Sequence, residues 1–333
     1  MALHRRRHRE NIKINHEANL PKSAEPLHQG HTLVKVAYAS LNHLEYKVAE
    51  MPLASAVFSK PATPGLDFSG TVVATTLNSL KPGQRVFGRT EPRTCGTLAE
   101  YVVVGKSGVA ALPAGVSLRD AACVGICGVA ALQSLAPFVG PGSSVLINGG
   151  SSVVGEFAIQ IAKALECENI TTICSGKNAE LCRSLGADNV IDHRSEDPVA
   201  VLNQAGRTYS HILDTVFSNS DLYWQCHHFL GQRGTYVSVG LPIKLQAFRT
   251  LFTIYILPRF LGGGRRKFRF HSVTANPEDL EQLGRWIAEG RLKAVIDEEY
   301  ELEDADRAYG RLKSGRASGK LVVRVCGEDV LSS

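Results

Sequence analysis

The sequence predicts an α/β protein in two parts, a barrel-like β part followed by a doubly wound parallel sheet. Three observations carry that expectation. Up to about residue 112, short alternating runs are separated by Gly and Pro. From Ser117 onward, strand-like runs alternate with helical ones. Where the second part begins, a tight turn of small residues, GGSSVVG (149–155), joins a buried strand to a helix.

In the first part, HTLVKVAYASL (31–41), SGTVVATT (69–76) and LAEYVVV (98–104) alternate apolar and polar positions and read as strands. Pro82-Gly83 and Gly96 mark turns between them. SLRDAACVGICGVAALQSL (117–135) opens on a capping serine and keeps helical spacing, which predicts one helix. VLING (145–149) is a strand, EFAIQIAKAL (156–165) an amphipathic helix and ITTIC (170–174) a second strand. NAELCRSLG (178–186) is a helix ended by Gly186, and NVID (189–192) is a third strand. HILDTV (211–216) and GTYVSVG (234–240) continue the sheet. Helix EDLEQLGRWIAEG, strand-like KAVIDEEYEL, helix DADRAYGRLKSG and strand KLVVRV follow after about residue 278.

The chain has 333 residues, 44% hydrophobic and 21% charged, enough for two domains with cores of their own. The net charge is +5, concentrated in Arg5, Arg6, Arg7 and Arg9 and again in Arg265, Arg266, Lys267 and Arg269. This basicity favours an anionic ligand, but it lacks the interleaved aromatics of a nucleic-acid surface, so no nucleic-acid partner is expected. Eight cysteines without a CxxC pair, and no signal-like apolar opening, point to a reduced, cytoplasmic setting. The opening MALHRRRHR has the Arg-rich look of a transit peptide. Glu10 and Glu17 interrupt it, and a frayed terminus is the preferred reading. The apolar run Leu251 to Leu257 is too short to insert stably in a membrane.

A strand, a tight turn and an immediate helix present backbone N–H groups and a helix dipole to a pyrophosphate. Gly149 and Gly150 allow the turn, and Gly155 lets the helix start press on the strand. At the end of the next strand an NAD enzyme usually carries an Asp or Glu for the ribose hydroxyls. This chain has Ser175, Lys177 and Asn178 instead. A hydroxyl and an ammonium suit a 2′-phosphate, so NADPH is the expected cofactor.

Taken in order, SLNHLEYK (40–47), PGLDFSG (64–70), KPGQRVFG (81–88), GTLAEYVV (96–103), LPAGVSLRDAA (112–122), SGKNAELCRSLGADNVID (175–192) and SGRASGKLVVRV (314–325) resemble the medium-chain dehydrogenase/reductase superfamily. The likeness runs along almost the whole chain. It is greatest to the quinone oxidoreductase branch and the fungal trans-acting enoyl reductases. It implies a GroES-like catalytic domain from residues 1–116 and 279–333, with a Rossmann domain of 117–278 inserted. It also implies a cofactor site including Asn42, Ser151, Ser152, Val153, Val154, Val216, Gly240 and Leu241; at 193, where the branch often has tyrosine, His193 is either a contact to the phospho-adenosine or merely a surface histidine.

The zinc-dependent branch of that family needs converging Cys and His ligands. Here Asn42 and His43 stand at the first position, Leu66-Asp67 at the second, and Cys127 alone at the third, so no metal is expected. Cys123 and Cys127 read as small core residues. The loop also departs from the Gly-Gly-Val-Gly ending of the zinc-free branch, with hydroxyls at Ser151 and Ser152 in its place.

Without a metal, reduction of an activated C=C bond or of a quinone is the accessible chemistry. Asn42, with His43 or Tyr46 as hydrogen-bond or proton donor, forms the candidate catalytic set. Tyr46 as a packing residue and His43 as a turn cap remain open. The segment 244–270, with Phe248, Leu251, Phe252, Tyr255 and Phe260, falls where the family has a substrate-cleft flap. It suggests a bulky apolar substrate such as a polyketide- or lipid-derived enone; a dimer-packing helix or a membrane-surface contact are the alternatives. A monomer or homodimer acting on a small molecule is expected, and an NADPH-binding protein without turnover is the non-enzymatic alternative.

Overall fold

The computed structural model describes residues 12–21, 24, 26–50, 62–94, 96–217, 220–239, 245–257 and 263–327. The expected Gly240, Leu241 and Phe260 lie outside these residues, as does the side chain of Phe248. The chain divides into two compact units, Met1–Val129 with Thr274–Ser333, and Ala130–Val273.

Unit 1 is built on a seven-stranded sheet in the order β12-β13-β1-β2-β3-β5, with β4 also paired to β1. Its strands are β1 (His31–Ser40), β2 (Asp67–Thr75), β3 (Arg85–Arg89), β4 (Tyr101–Gly105), β5 (Val109–Ala111), β12 (Ile296–Glu301) and β13 (Lys320–Arg324). β1 is the hub, with β2, β4 and β13 all antiparallel to it, and is therefore buried along most of its length. Val34, Val36, Phe68, Val86, Val102 and Val104 fill one core, where β-branched side chains pack well on a pleated surface. A second core gathers Leu41, Leu98, Tyr309, Leu312 and Val323. Helices α1 (His43–Ala49), α2 (Leu118–Ala121), α9 (Pro277–Ala288) and α10 (Ala305–Lys313) belong to this unit. α9 starts on Asn276, whose side chain accepts the Glu278 N–H, and Pro277, and it buries Leu280, Leu283 and Trp286.

The helix expected over 117–135 is two. Ser117 caps α2 through the Asp120 N–H, and α3 (Gly125–Leu135) starts afresh. The break has a tertiary cause. The Ile126 N–H is taken by Asp67 Oδ1 at 2.8 Å, and a Cβ on Gly125 would stand 2.4 Å from that oxygen.

Unit 2 is a six-stranded parallel sheet in the order β11-β10-β9-β6-β7-β8. The strands are β6 (Ser144–Asn148), β7 (Asn169–Cys174), β8 (Asn189–Asp192), β9 (Tyr209–Asp214), β10 (Leu230–Ser238) and β11 (Lys267–Phe270). Counted from β6 this is 3-2-1-4-5-6 across the sheet, the dinucleotide-binding order, with its switch point between β6 and β9. α4 (Val153–Ala164), α5 (Ala179–Ser184), α6 (Pro198–Ala205), α7 (Asp221–Gln225) and α8 (Leu245–Ile256) connect the strands. Parallel strands covered on both faces read as apolar runs, and β7 is buried at every position. Leu146, Ile173, Ile212, Phe217, Tyr223, Tyr236 and Phe268 form the core.

Several element ends differ from the sequence reading by a few residues. β4 starts at Tyr101, with residues 98–100 in a bend. Within the segment 244–270 the described residues form α8 and the edge strand β11. Among the described residues no helix is long and apolar enough to cross a membrane.

Candidate functional site

The phosphate loop leaves β6 at the switch point. Gly149 has φ +84°, a conformation that favours glycine. A Cβ on Gly150 would stand 1.8 Å from Thr172 Oγ1, and one on Gly155 would stand 2.2 Å from the Gly149 carbonyl. Only hydrogen fits at either point, so the backbone is drawn tight around the N-terminus of α4. Ser152 caps that helix, its Oγ accepting the Gly155 N–H at 3.1 Å. The same Oγ lies 2.8 Å from Thr215 Oγ1, which tethers the loop to the end of β9. Ser151, Ser152, Val153 and Val154 are all half-buried, and each leaves part of its surface accessible.

Asp214 organises this end of the sheet, and the sequence reading missed it. Its carboxylate accepts from Asn148 Nδ2, from the Val216 and Phe217 N–H groups and from Tyr236 Oη, joining the ends of β6, β9 and β10. Burial raises its pKa, and these donors offset part of the rise. They also hold Phe217 at φ +43°, unusual for a residue with a side chain. Val216 is exposed beside Gly149, in whose Cβ position its Cγ2 nearly stands.

At the end of β7, Ser175 is buried and Lys177 is exposed in the turn Gly176–Asn178. Asn178 closes that turn, its N–H donating to the Ser175 carbonyl. The His193 N–H donates to the Cys174 carbonyl, which brings exposed His193 to the same edge. Ser175, Lys177, Asn178 and His193 therefore share one end of the sheet. So does an acid: a Cβ on Gly176 would lie 2.3 Å from Asp192 Oδ2. Hydrogen bonding from Arg194, and then Gly176 and Ser195, lowers the Asp192 pKa.

In unit 1 the candidate catalytic segment is α1. Asn42 is its cap, and its position is set by a buried network rather than by solvent. Lys320 Nζ donates to Asn42 Oδ1 at 3.0 Å, to Asp67 Oδ2 at 2.9 Å and to the Leu41 carbonyl at 3.2 Å. Asn42 Nδ2 donates to Asp67 Oδ2 and to Glu45 Oε1. The Cys127 thiol donates to Asn42 Oδ1, which gives it a polar role beyond packing. Cys123 is fully buried, and burial pushes its thiol up to about 12. Tyr309 donates to Glu45 Oε2. Burial raises the Glu45 pKa to about 7 against the opposing hydrogen bonds of Tyr309 and Asn42.

His43 and Tyr46 lie on α1 with ring centroids 5.9 Å apart. His43 is exposed on one side, yet partial burial, with Lys47 and Lys320, lowers its pKa to about 4. Tyr46 packs against the second core, and Lys313 Nζ lies 5.5 Å from its ring centre. Burial, with Glu50, raises its pKa.

A metal held through Asn42, Asp67 and Cys127 does not fit this donor set. Asn42 Oδ1 and Asp67 Oδ2 both face the Lys320 ammonium, and a single thiol falls short of the N/S ligand set of a zinc site. Among the described residues no group of three His, Cys, Asp or Glu side chains is placed to hold a metal. A dinucleotide does fit unit 2, where glycines that admit no Cβ press the chain against the N-terminus of a twelve-residue helix.

Residues 28–114 match the alcohol dehydrogenase GroES-like domain model, and residues 185–323 match the zinc-binding dehydrogenase model. A trans-enoyl reductase of Aspergillus terreus, pgmF, is 42% identical over 95% of this chain and 92% of that protein. A chloroplastic quinone-oxidoreductase of Triphysaria versicolor is 29% identical over 89% of this chain and 90% of that protein. The solved quinone oxidoreductase of Coxiella burnetii superposes with TM-score 0.75 and 28% identity, over 89% of this chain and 90% of that one. The chain is therefore an oxidoreductase of the medium-chain dehydrogenase/reductase superfamily, in the branch that holds trans-enoyl and quinone reductases.

Proposed function

We propose that the protein is an NADPH-dependent, zinc-independent reductase of an activated carbon–carbon double bond on a bulky apolar substrate. The observation that carries this reading is Lys320 Nζ, held between Asn42 and Asp67 where the zinc-dependent branch gathers metal ligands. Similarity to a protein named trans-enoyl reductase supports the acceptor class.

The bound nicotinamide supplies a hydride. Hydride addition to an enone leaves negative charge on the carbonyl oxygen, and this chain must stabilise it with hydrogen bonds and positive charge. Lys320 supplies the charge from behind Asn42, polarising the amide and fixing its rotamer. His43, kept neutral by its lowered pKa, and Tyr46, whose phenol is protonated at neutral pH and whose pKa burial raises further, are hydrogen-bond donors. Neither is a strong acid at neutral pH, so water delivers the proton to the α-carbon. Ser151, Ser152, Val153 and Val154 would bind the diphosphate, with Val216 beside it. Ser175, Lys177 and Asn178 would hold the 2′-phosphate, and His193 would contact the adenosine.

A quinone is the second reading, favoured by the likeness to the Triphysaria and Coxiella proteins. Stopped-flow oxidation of NADPH and NADH against a panel of enones and a panel of quinones decides between the two. Faster turnover of enones with NADPH is expected. Turnover of quinones alone overturns the double-bond assignment, and stoichiometric zinc required for activity overturns the metal-free mechanism.

A further inference from the structure

The basic run at 265–267 has no part in the site described above. Its side chains, with Gln232, line an open pocket of about 510 Å³ on unit 2. In a parallel sheet the strand polarity separates the two ends. The phosphate loop follows the C-terminal end of β6, whereas Lys267 opens β11 at its N-terminal end, opposite Thr235 of β10. The pocket therefore belongs to the far end of the sheet from the dinucleotide loop.

Its two guanidiniums are held by uncharged partners. Arg266 Nε donates to the Leu230 carbonyl at 2.8 Å, and Arg266 Nη2 donates to the His227 carbonyl at 2.8 Å. Arg265 Nη1 lies 2.9 Å from His227 Nε2, while His227 Nδ1 lies 2.9 Å from the Trp224 carbonyl. With Nδ1–H donating to Trp224, Nε2 is free to accept from Arg265, and partial burial lowers the pKa of the ring. The chain reaches this position through Gly264, where a Cβ would stand 1.9 Å from Tyr223 Oη, and Tyr223 Oη donates to the Arg266 carbonyl. Among the described residues no carboxylate pairs with Arg265, Arg266 or Lys267, and no acid lines the pocket.

We infer that this pocket is a second anion site, distinct from the dinucleotide site, that binds the phosphate group of a small phosphomonoester. Arginine forks suit phosphate oxygens, and a phosphomonoester near neutral pH carries about two negative charges to set against the cations. A single carboxylate would leave most of the positive charge unmatched. Among the described residues the lining has no aromatic side chain on which a nucleic-acid base would stack.

The test is calorimetric titration of phenyl phosphate into the full chain saturated with NADPH, so that the dinucleotide site is filled. Binding is expected, together with roughly tenfold or greater weakening in each of Arg265→Gln and Lys267→Gln. Affinity for NADPH and turnover should stay unchanged in both variants, because neither residue belongs to the reductase site. Arg266 is left intact because its guanidinium holds two backbone carbonyls. Absence of binding to the NADPH-saturated protein, equal binding by the double variant, or equal affinity for acetate each overturns the inference. So does binding confined to phosphatidate vesicles, since the proposal is a soluble ester.

Discussion

Lys320 Nζ and Asp67 Oδ2 lie 2.9 Å apart with both side chains almost completely shut away from water. Removing one charge of such a pair strands the other. Lys320→Met and Asp67→Asn should each destabilise the protein by about 3–5 kcal/mol, and the double variant by less than their sum. Urea denaturation of the single and double variants measures the coupling, and strict additivity would contradict a direct pair.

Glu45 gives unit 1 a pH dependence. Its carboxyl titrates at about 7 in the fold against an ordinary 4.5, so the folded state holds the proton that the unfolded chain releases. That stabilisation is fully present below pH 4.5 and is lost as pH rises through about 7. At about 1.4 kcal/mol per pH unit it comes to roughly 3 kcal/mol. Glu45→Gln should flatten this part of the stability profile, leaving the variant closer to wild type at pH 5 than its gain at pH 8 would suggest. Denaturation curves across that range provide the check.

His211 acts in the opposite sense in unit 2. It is fully buried, stacked on Phe138 at a centroid distance of 4.9 Å, and burial lowers its pKa from 6.5 to about 4. The unfolded chain takes up a proton first, so stability is full above 6.5 and falls as pH drops toward about 4. His211→Phe keeps a ring against Phe138 without a titrating group. Thermal melts between pH 4 and 7 should show a shallower acid loss in the variant, and parallel profiles would assign the loss to other groups.

Lys177→Ala should weaken NADPH by roughly tenfold or more, from the loss of one charge-assisted contact of about 1.5–3 kcal/mol, and leave NADH nearly unchanged. Steady-state KM for both cofactors reads the difference. Equal effects would remove the 2′-phosphate from the Ser175–Lys177 turn.

Gly155→Ala puts a methyl 2.2 Å from the Gly149 carbonyl, a backbone atom that has to move. Dinucleotide affinity should fall at least tenfold while the far-UV spectrum stays native, as fluorescence titration would register. Unchanged affinity would mean that the loop has slack.

The strand–helix alternation of unit 2 and its glycine turn were legible because they depend on local periodicity and on residues within one βα unit. The networks were not. Tyr309 reaches Glu45 across 264 residues and Lys320 reaches Asp67 across 253, and no local pattern encodes either pairing. The reading of 117–135 as one helix failed for a related reason, since the oxygen that claims the Ile126 N–H comes from β2, 59 residues earlier. Asp214 appeared in the sequence only as the polar end of HILDTV, and its four donors come from three strand ends. β11 was hidden because four residues, KFRF, are too few to show alternation inside a segment dominated by apolar residues.

The long separation between Asp67 and Lys320 also orders events during synthesis. A chain growing from its amino end exposes Asp67, Asn42 and Glu45 long before the ammonium that holds them together exists. Unit 2, made from one unbroken stretch, has all its strands by then. Unit 2 is thus able to fold while the ribosome is still at work, whereas unit 1 waits with an unmatched carboxylate until β13 arrives and draws its two segments together.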